Sequence, residues 1–254
     1  MSHEPNHRES SQPSHRTALA VFAHPDDAEL TCFGTLANLA SRGWRICIFY
    51  VTAGKSTSAH DRDCRLLESQ QAAKVIGAEN YSGDLRDGFT SYDGQSVSLI
   101  ERKIEEFDPQ IVITHFPQDS GLGHQDHVEI GKAATNAALR STQVEMIIQA
   151  EPPVLGLAFT PNLFVDISRQ IENKIKAVEC HLSEREKPFM DKAAVLDRAR
   201  WWARQARLHR VGAAEFFEPF VLVRAVGTLP LVTSSCRPYP HVELLPLDDS
   251  ALAP

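Results

Sequence analysis

Apolar residues along this chain gather in short unbroken runs, separated by longer stretches of mixed polarity. The runs Thr17–Phe22, Arg45–Thr52, Ile111–Thr114, Glu145–Gln149 and Leu163–Ile167 show no polar alternation, so they read as strands buried on both faces. Between them, Thr31–Ser41, Asp61–Ile76, Val97–Phe107 and His127–Leu139 have helical composition and spacing. Strand–helix alternation of this kind predicts an α/β fold, a mostly parallel sheet with helices on both faces. Beyond the fifth strand the pattern changes. Ser168–Cys180 and Phe189–His209 read as amphipathic helices, and Phe216–Arg224 as a further strand.

The two ends do not fit this alternation. Residues 1–16 are polar, rich in Ser, His and Pro, and read as a disordered tail whose His3, His7 and His15 are solvated. Residues 227–254, interrupted by prolines, read as a C-terminal arm. The intervening residues 17–226 show neither an internal repeat nor a linker, so one domain is expected. At 254 residues the chain is long enough for a substantial core without disulfide staples.

Charge and cysteine usage narrow the function. The net charge is −7 and no Lys/Arg cluster forms a phosphate-tracking surface, which disfavours nucleic acid. The five cysteines are scattered without a C-x-x-C, fitting reduced thiols in a cytosol-like compartment. No run reaches the roughly 20 apolar residues of a membrane span, and the N-terminus lacks a signal-peptide apolar region. A cytoplasmic protein is expected.

The first strand runs into Ala23-His24-Pro25-Asp26-Asp27-Ala28-Glu29-Leu30. An imidazole and two adjacent carboxylates thus sit on a strand-to-helix turn, at the sheet edge where open α/β folds bind ligands. A dinucleotide site would need G-x-G-x-x-G there. This turn has no glycine, and it places two carboxylates where a pyrophosphate would sit. A plainer account makes Asp26 or Asp27 an N-cap, Pro25 a turn residue and His24 a surface histidine. A second stretch tips the balance toward a metal ion.

That stretch runs from Thr114 through His115 to His124-Gln125-Asp126-His127, again a strand, a glycine-containing loop and a helix. His124 and His127 share one helical face. The strand ending at Thr114 can lie beside the one ending at Phe22, so both loops open on the same edge. His24, Asp27 and His127 then offer two nitrogens and one carboxylate. Three protein ligands with one position open is the pattern of a catalytic zinc site. Asp26 is left beside the ion as a general base for an attacking water. His124 can donate to a developing oxyanion or a leaving amine, and Asp126 can orient its imidazole and favour its charged form. His115, at a strand end, reads as a buried hydrogen-bonded histidine.

The paired motifs resemble the LmbE/PIG-L family of metal-dependent N-deacetylases. The family's H-P-D-D-x-E matches His24 to Glu29 and its H-x-D-H matches His124 to His127. Similar segments extend from residue 17 to about 220: Arg65-x-x-Glu68 with Ala72-Ala73 and Ile76-Gly77, Asp87-Gly88, Pro161 to Ser168, and Ala214-Glu215-x-Phe217. The resemblance implies a Rossmann-like fold, His24, Asp27 and His127 as metal ligands, Asp26 as base and His124 as electrostatic or acid group. Two departures concern substrate identity: the family's H-x-S-Q is His181-Leu182-Ser183-Glu184, and a frequent tyrosine before A-E-x-F is Ala213.

The implied activity is that of a zinc-dependent amidohydrolase, removing an N-acetyl or other N-acyl group from an amino sugar or its conjugate. Zn2+ is the expected ion, with Fe2+ or another divalent metal also fitting the donors. Arg65 is either a substrate clamp or a salt-bridged helix residue. Asp87 either binds a sugar hydroxyl or starts a turn. Glu215 reads as a structural partner within the fold. Two other functions compete. Two histidines and a carboxylate also make the facial triad of non-haem Fe(II) oxygenases, and a non-catalytic metal-binding protein would share the donors. The expected partner is a small N-acylated amino-sugar molecule, with no membrane span, and homo-oligomer formation stays open.

Overall fold

A computed structural model describes residues 16–54, 59–117, 124–154, 158–206 and 215–226. The expected N-terminal tail and C-terminal arm lie almost wholly outside the described residues. Seven strands form one sheet: β1 (Thr17–Phe22), β2 (Arg45–Thr52), β3 (Glu79–Leu85), β4 (Ile111–His115), β5 (Met146–Ala150), β6 (Leu163–Asp166) and β7 (Phe217–Ala225), in the order β3-β2-β1-β4-β5-β7-β6. The pairs from β3 through β5 are all parallel, and β7 runs antiparallel to both β5 and β6. The helices are α1 (Asp27–Thr31), α2 (Phe33–Ala40), α3 (Ala59–Lys74), α4 (Gly94–Phe107), α5 (Gln125–Arg140), α6 (Ile171–Glu179) and α7 (Lys192–Gln205). No helix among the described residues is long and apolar enough to cross a membrane.

Four of the five predicted apolar strands, β1, β2, β4 and β5, are buried on both sides; the fifth, β6, lies at the sheet edge and is only half-buried, with Asp166 exposed. Leu19, Val21, Phe49, Val112 and Ile147 pack with α4 and α5 through Ile100, Ile104, Phe107 and Ile130. Ala18, Ala20, Phe22, Ile48, Ile113 and Ile148 pack on the opposite face with Phe33 and Leu36 of α2 and Ala72 and Ala73 of α3. Each strand thus divides its odd and even residues between two dry layers, which is why no polar alternation marks it.

The sequence reading misses β3. Glu79–Leu85 reads ENYSGDL and has no apolar run. Among the described residues it is an edge strand that pairs only with β2, and Glu79 forks onto Arg45 at 2.7 and 2.8 Å. The expected helix Thr31–Ser41 is two helices that start earlier, at Asp27, and break at Cys32, where φ is −138°. The helix expected from Val97 starts at Gly94 because Asp93 and Ser96 form a reciprocal cap. The helix expected from Phe189 starts at Lys192, capped by Asp191 after a 3-10 turn at Pro188–Met190. Glu215 is exposed. The buried structural carboxylate near it is Glu218, which takes the Gly34 and Thr35 amides and the Lys174 ammonium.

Chain order along the sheet reverses between β1 and β4, so the crevice at their carboxyl ends is the topological switch point. Helix α5 is pressed onto β4 at Gly131, where a Cβ would stand 2.7 Å from the His115 carbonyl oxygen. Alanine favours a helix interior over glycine by up to about 1 kcal/mol, but overpacking costs roughly 1–3 kcal/mol, and a strand carbonyl cannot rotate away. Gly131→Ala is therefore expected to lower the urea midpoint, and an unchanged or raised midpoint would reject this close approach.

Candidate active site

The turn after β1 builds the site. Ala23 is pinned by Thr52, whose amide and hydroxyl both donate to its carbonyl at 3.0 and 2.9 Å. The Ala23 amide donates to His115 Nε2 at 3.0 Å. Asp26 then takes φ 133°, ψ −25°, a region that non-glycine residues rarely occupy. Such backbone strain costs on the order of 1–3 kcal/mol and collects at functional sites. Asp26 holds the N-cap position of α1, yet its side chain makes no capping hydrogen bond. The plain N-cap reading therefore fails. The strained turn instead sends Asp26 and Asp27 into different surroundings.

Asp27 faces histidines. Its Oδ2 accepts from the His24 amide at 2.8 Å and lies 3.4 Å from His24 Nδ1. Its Oδ1 lies 3.2 Å from His127 Nε2, and His24 Nδ1 stands 3.1 Å from His127 Nε2. Ligand atoms bound at about 2.0–2.2 Å around a tetrahedral ion stand roughly 3.3 Å apart; each separation is of that size, although His24 and His127 are nearest to different oxygens of Asp27. Burial disfavours ionised Asp27, but His127 and His115 outweigh it and hold its carboxyl well below the usual range.

Three overlapping groups of side chains have donor atoms within 4.8 Å of one another: His24 with His124 and His127; His24 with Asp87, His124 and Asp126; and Asp27 with His115 and His127. His115 is the weakest donor of these. Its Nε2 lone pair is taken by the Ala23 amide, and burial lowers its pKa to about 4. It stacks on His127 with centroids 4.3 Å apart and reads as a neutral wall, as its strand-end position suggests.

His24 bridges the two sides. Its Nδ1 faces Asp27 and His127, and its Nε2 faces Asp126 at 3.3 Å and Asp87 at 3.5 Å. Burial works against a charge on this ring, but Asp126, Asp27 and Asp87 outweigh it and hold its pKa well above the ordinary value. This surplus of buried carboxylate calls for positive charge, and an ion at His24, Asp27 and His127 would supply it. A histidine ligand whose other nitrogen donates to a carboxylate is the usual outer support of a metal site.

Asp126 corrects one expectation. Its carboxylate does not orient His124. It accepts from His24, from the Gly88 amide at 2.7 Å and from the Thr90 amide at 3.2 Å. Burial raises its pKa, but these hydrogen bonds prevail and bring it to about 2. Only the Asp126 amide reaches His124, donating to Nδ1 at 3.2 Å. Burial, with His24 and His127 nearby, lowers the His124 pKa, so the ring is neutral with its remaining proton on Nε2. The expected charged form is not favoured.

Asp26 faces cations. Its Oδ2 lies 3.3 Å from Arg65 NH2 and 3.8 Å from Lys187 Nζ. Burial raises its pKa, the Asp27 carboxylate raises it further, and Arg65, Lys187 and His181 oppose them, leaving it at about 6. Arg65 is salt-bridged, as one of its two readings has it. It is 6% exposed, donates to the Pro25 carbonyl at 3.0 Å and pairs with Glu184 at 3.0 Å. Glu184 also pairs with Lys187. The sequence reading noted Glu184 only as a departure from H-x-S-Q, although acid in place of amide was itself the signal of a cationic partner. Gly54, also missed, lies against the guanidinium. With φ +80°, a Cβ there would stand 2.8 Å from Arg65 Cζ. Asp87 reaches the cluster from a turn, and its buried Oδ1 has no hydrogen-bond partner among the described residues.

If His24, Asp27 and His127 hold the ion, Asp27→Ala and His127→Ala lose stoichiometric zinc after dialysis, measured by mass spectrometry of the metal, while Asp26→Asn keeps it. An Asp27→Ala protein that binds zinc as tightly as its parent rejects this ligand set.

Comparison with known proteins agrees with the geometry. A family model described as GlcNAc-PI de-N-acetylase, PIG-L, matches residues 19–138. The uncharacterized deacetylase YaiS of Escherichia coli K12 is 30% identical over 182 residues, which cover 68% of this chain and 95% of that protein. The diacetylchitobiose deacetylase of Thermococcus kodakarensis is 28% identical over 187 residues, covering 66% of this chain and 70% of its own. Among solved structures, the 4-carboxy-2-hydroxymuconate hydratase GalB of Pseudomonas putida superposes with a TM-score of 0.72 at 20% identity, covering 85% of this chain and 100% of that one. That likeness speaks for the fold alone. The sequence relationships place this chain in the PIG-L family of de-N-acetylases.

Proposed function

We propose that this protein is a zinc-dependent amidohydrolase that removes the N-acetyl group of an amino sugar or amino-sugar conjugate. One observation carries the reading. Asp26, on a strained backbone, adjoins the donor Asp27 and is kept apart from the donor histidines by its own cationic partners, Arg65 and Lys187. A protein that only stored metal would have no use for a second carboxylate kept at that cost. A cation bound at those donors would polarise an amide carbonyl and make a neighbouring water more acidic. Asp26 accepts the proton of the attacking water. His124 offers its Nε2–H to the oxygen that gains charge. Asp26 then returns the proton to the departing amine. Asp126 keeps the His24 ring in place through these steps.

Two histidines and a carboxylate suit Fe(II) as well as zinc. An oxygenase, however, needs no general base, whereas Asp26 is held as one. The hydratase with this fold also adds water, to an alkene. Release of acetate from N-acetylated sugars, against hydration of an unsaturated acid, separates the two chemistries.

Asp26→Asn is expected to retain zinc and fold while kcat falls by roughly 10²–10⁴, with KM little changed. Full amidase activity in this variant would reject Asp26 as the base. The base works only when ionised, and its carboxyl is held at about 6. Activity should therefore decline as pH drops through that value, or through a lower one when the bound cation draws the pKa down. A profile flat down to pH 4 would contradict the assignment.

A further inference from the structure

A cation held by His24, Asp27 and His127 does not use up the carboxylates at this sheet edge. Such an ion takes the Nδ1 lone pair of His24, so the ring is uncharged. It then turns a single Nε2–H toward two carboxylates, Asp126 at 3.3 Å and Asp87 at 3.5 Å. The two are not equally served. Asp126 also accepts from the Gly88 and Thr90 amides. The Asp87 side chain is 9% exposed, and its buried Oδ1, the oxygen nearest His24, has no hydrogen-bond partner among the described residues. A buried carboxylate oxygen left unsatisfied is costly. A ring nitrogen of His124 completes the group, and the four donor atoms lie within 4.8 Å of one another. His124 is exposed, which gives an ion a way in from solvent.

We infer that Asp87, Asp126, His124 and the Nε2 of His24 form a second cation site, with the His24 ring as the bridge between two divalent ions. This rests on the His24–Asp27–His127 ligand set and not on the reaction those residues carry out. Separations of 3.3 and 3.5 Å between His24 Nε2 and the two carboxylates are close to the roughly 3.3 Å between neighbouring ligands of a tetrahedral ion. The incoming ion takes the place of the Nε2 proton, which leaves to bulk water. The ring then carries one negative charge and offers a lone pair to each ion. Two carboxylate oxygens and two imidazole nitrogens suit zinc and its first-row neighbours, whereas calcium and magnesium take oxygen ligands. A proton on Asp87 would relieve the same deficit, and the count of bound ions separates the two.

The metal-free full chain is titrated with Zn2+ alone, by calorimetry and by mass spectrometry of the metal after equilibrium dialysis. The parent protein is expected to take up two ions, one tight and one weaker. Asp87→Asn keeps the size of the side chain and should retain the tight ion while weakening the other roughly 100-fold, since loss of a ligand costs at least as much as the 10–100-fold lost with a supporting partner. Asp27→Ala should do the reverse, losing the tight ion and keeping a weak one. His124→Ala, at an exposed position, should weaken the same ion as Asp87→Asn, and it decides the matter if Asp87→Asn disturbs both ions or the fold. A parent chain that saturates at one ion overturns the second site. So does a second ion that binds Asp87→Asn and His124→Ala as tightly as the parent. If Asp87→Asn loses the tight ion and Asp27→Ala keeps it, the site at Asp87 stands and the His24–Asp27–His127 set falls.

Discussion

The site depends on one electrostatic constraint: too many carboxylates are buried at the β1/β4 switch point for the positive charge available there. Asp26, Asp27 and Asp126 are almost fully buried, and Asp87 reaches the same cluster. An isolated buried carboxylate is too costly to persist. In this chain the carboxylates facing both ring nitrogens of His24 favour its charged form against its own burial. A divalent cation satisfies the same demand with twice the charge. The metal site is thus implied by an imbalance as well as by ligand spacing, and removing any one carboxylate changes the demand on all the others.

Two adjacent aspartates on one turn show how environment sets role. Asp27 is held ionised by the histidines it faces, which suits a ligand. Asp26 is pushed up to about 6 by burial and by Asp27 itself, with Arg65 and Lys187 restraining the rise. Pushing two neighbouring carboxyls apart in pKa is how acid and base assignments arise in other active sites. The cost appears in the backbone, as a non-glycine residue at φ 133°. The Arg65–Glu184–Lys187 cluster keeps the cationic side of Asp26 in place, drawing on α3 and on the segment after α6. Distant parts of the chain therefore meet at a single carboxylate oxygen.

The central strands were legible because each is a continuous apolar run, and dry layers on both faces leave no other pattern. β3 was not, because an edge strand with one neighbour has less need of apolar side chains. Among the site residues, the two loops that carry His24 and His127 could be brought to one edge, since strand-to-helix loops on adjacent parallel strands open on the same side; the roles of His24, Asp27 and His127 as ligands were implied by the family resemblance. The partner of Asp126 could not be grouped that way. Sequence proximity pointed to His124, but helix geometry leaves only the Asp126 amide near that ring and sends the carboxylate to His24, more than a hundred residues earlier. Arg65 stayed ambiguous for the same reason. Its partners Asp26 and Glu184 come from segments that only the folded sheet brings together.

The fold is shared with a hydratase, so the fold does not choose the reaction. The choice falls to the proton. Adding water to an alkene and to an amide both begin with a base that takes a proton from water. Amide cleavage must also deliver one to a poor leaving amine, and a carboxyl at its ordinary pKa near 4 gives up that proton too readily to solvent to be an efficient donor. A carboxyl raised by burial and by Asp27 sits closer to neutrality than an ordinary one, which lets it accept the proton and return it. Neutral His124, aimed by the Asp126 amide, is then left for hydrogen bonding to the carbonyl oxygen and need not compete for the proton. On the proposed mechanism, the strain at Asp26 and its burial beside Asp27 serve one end, a base poised to become an acid within the same turnover.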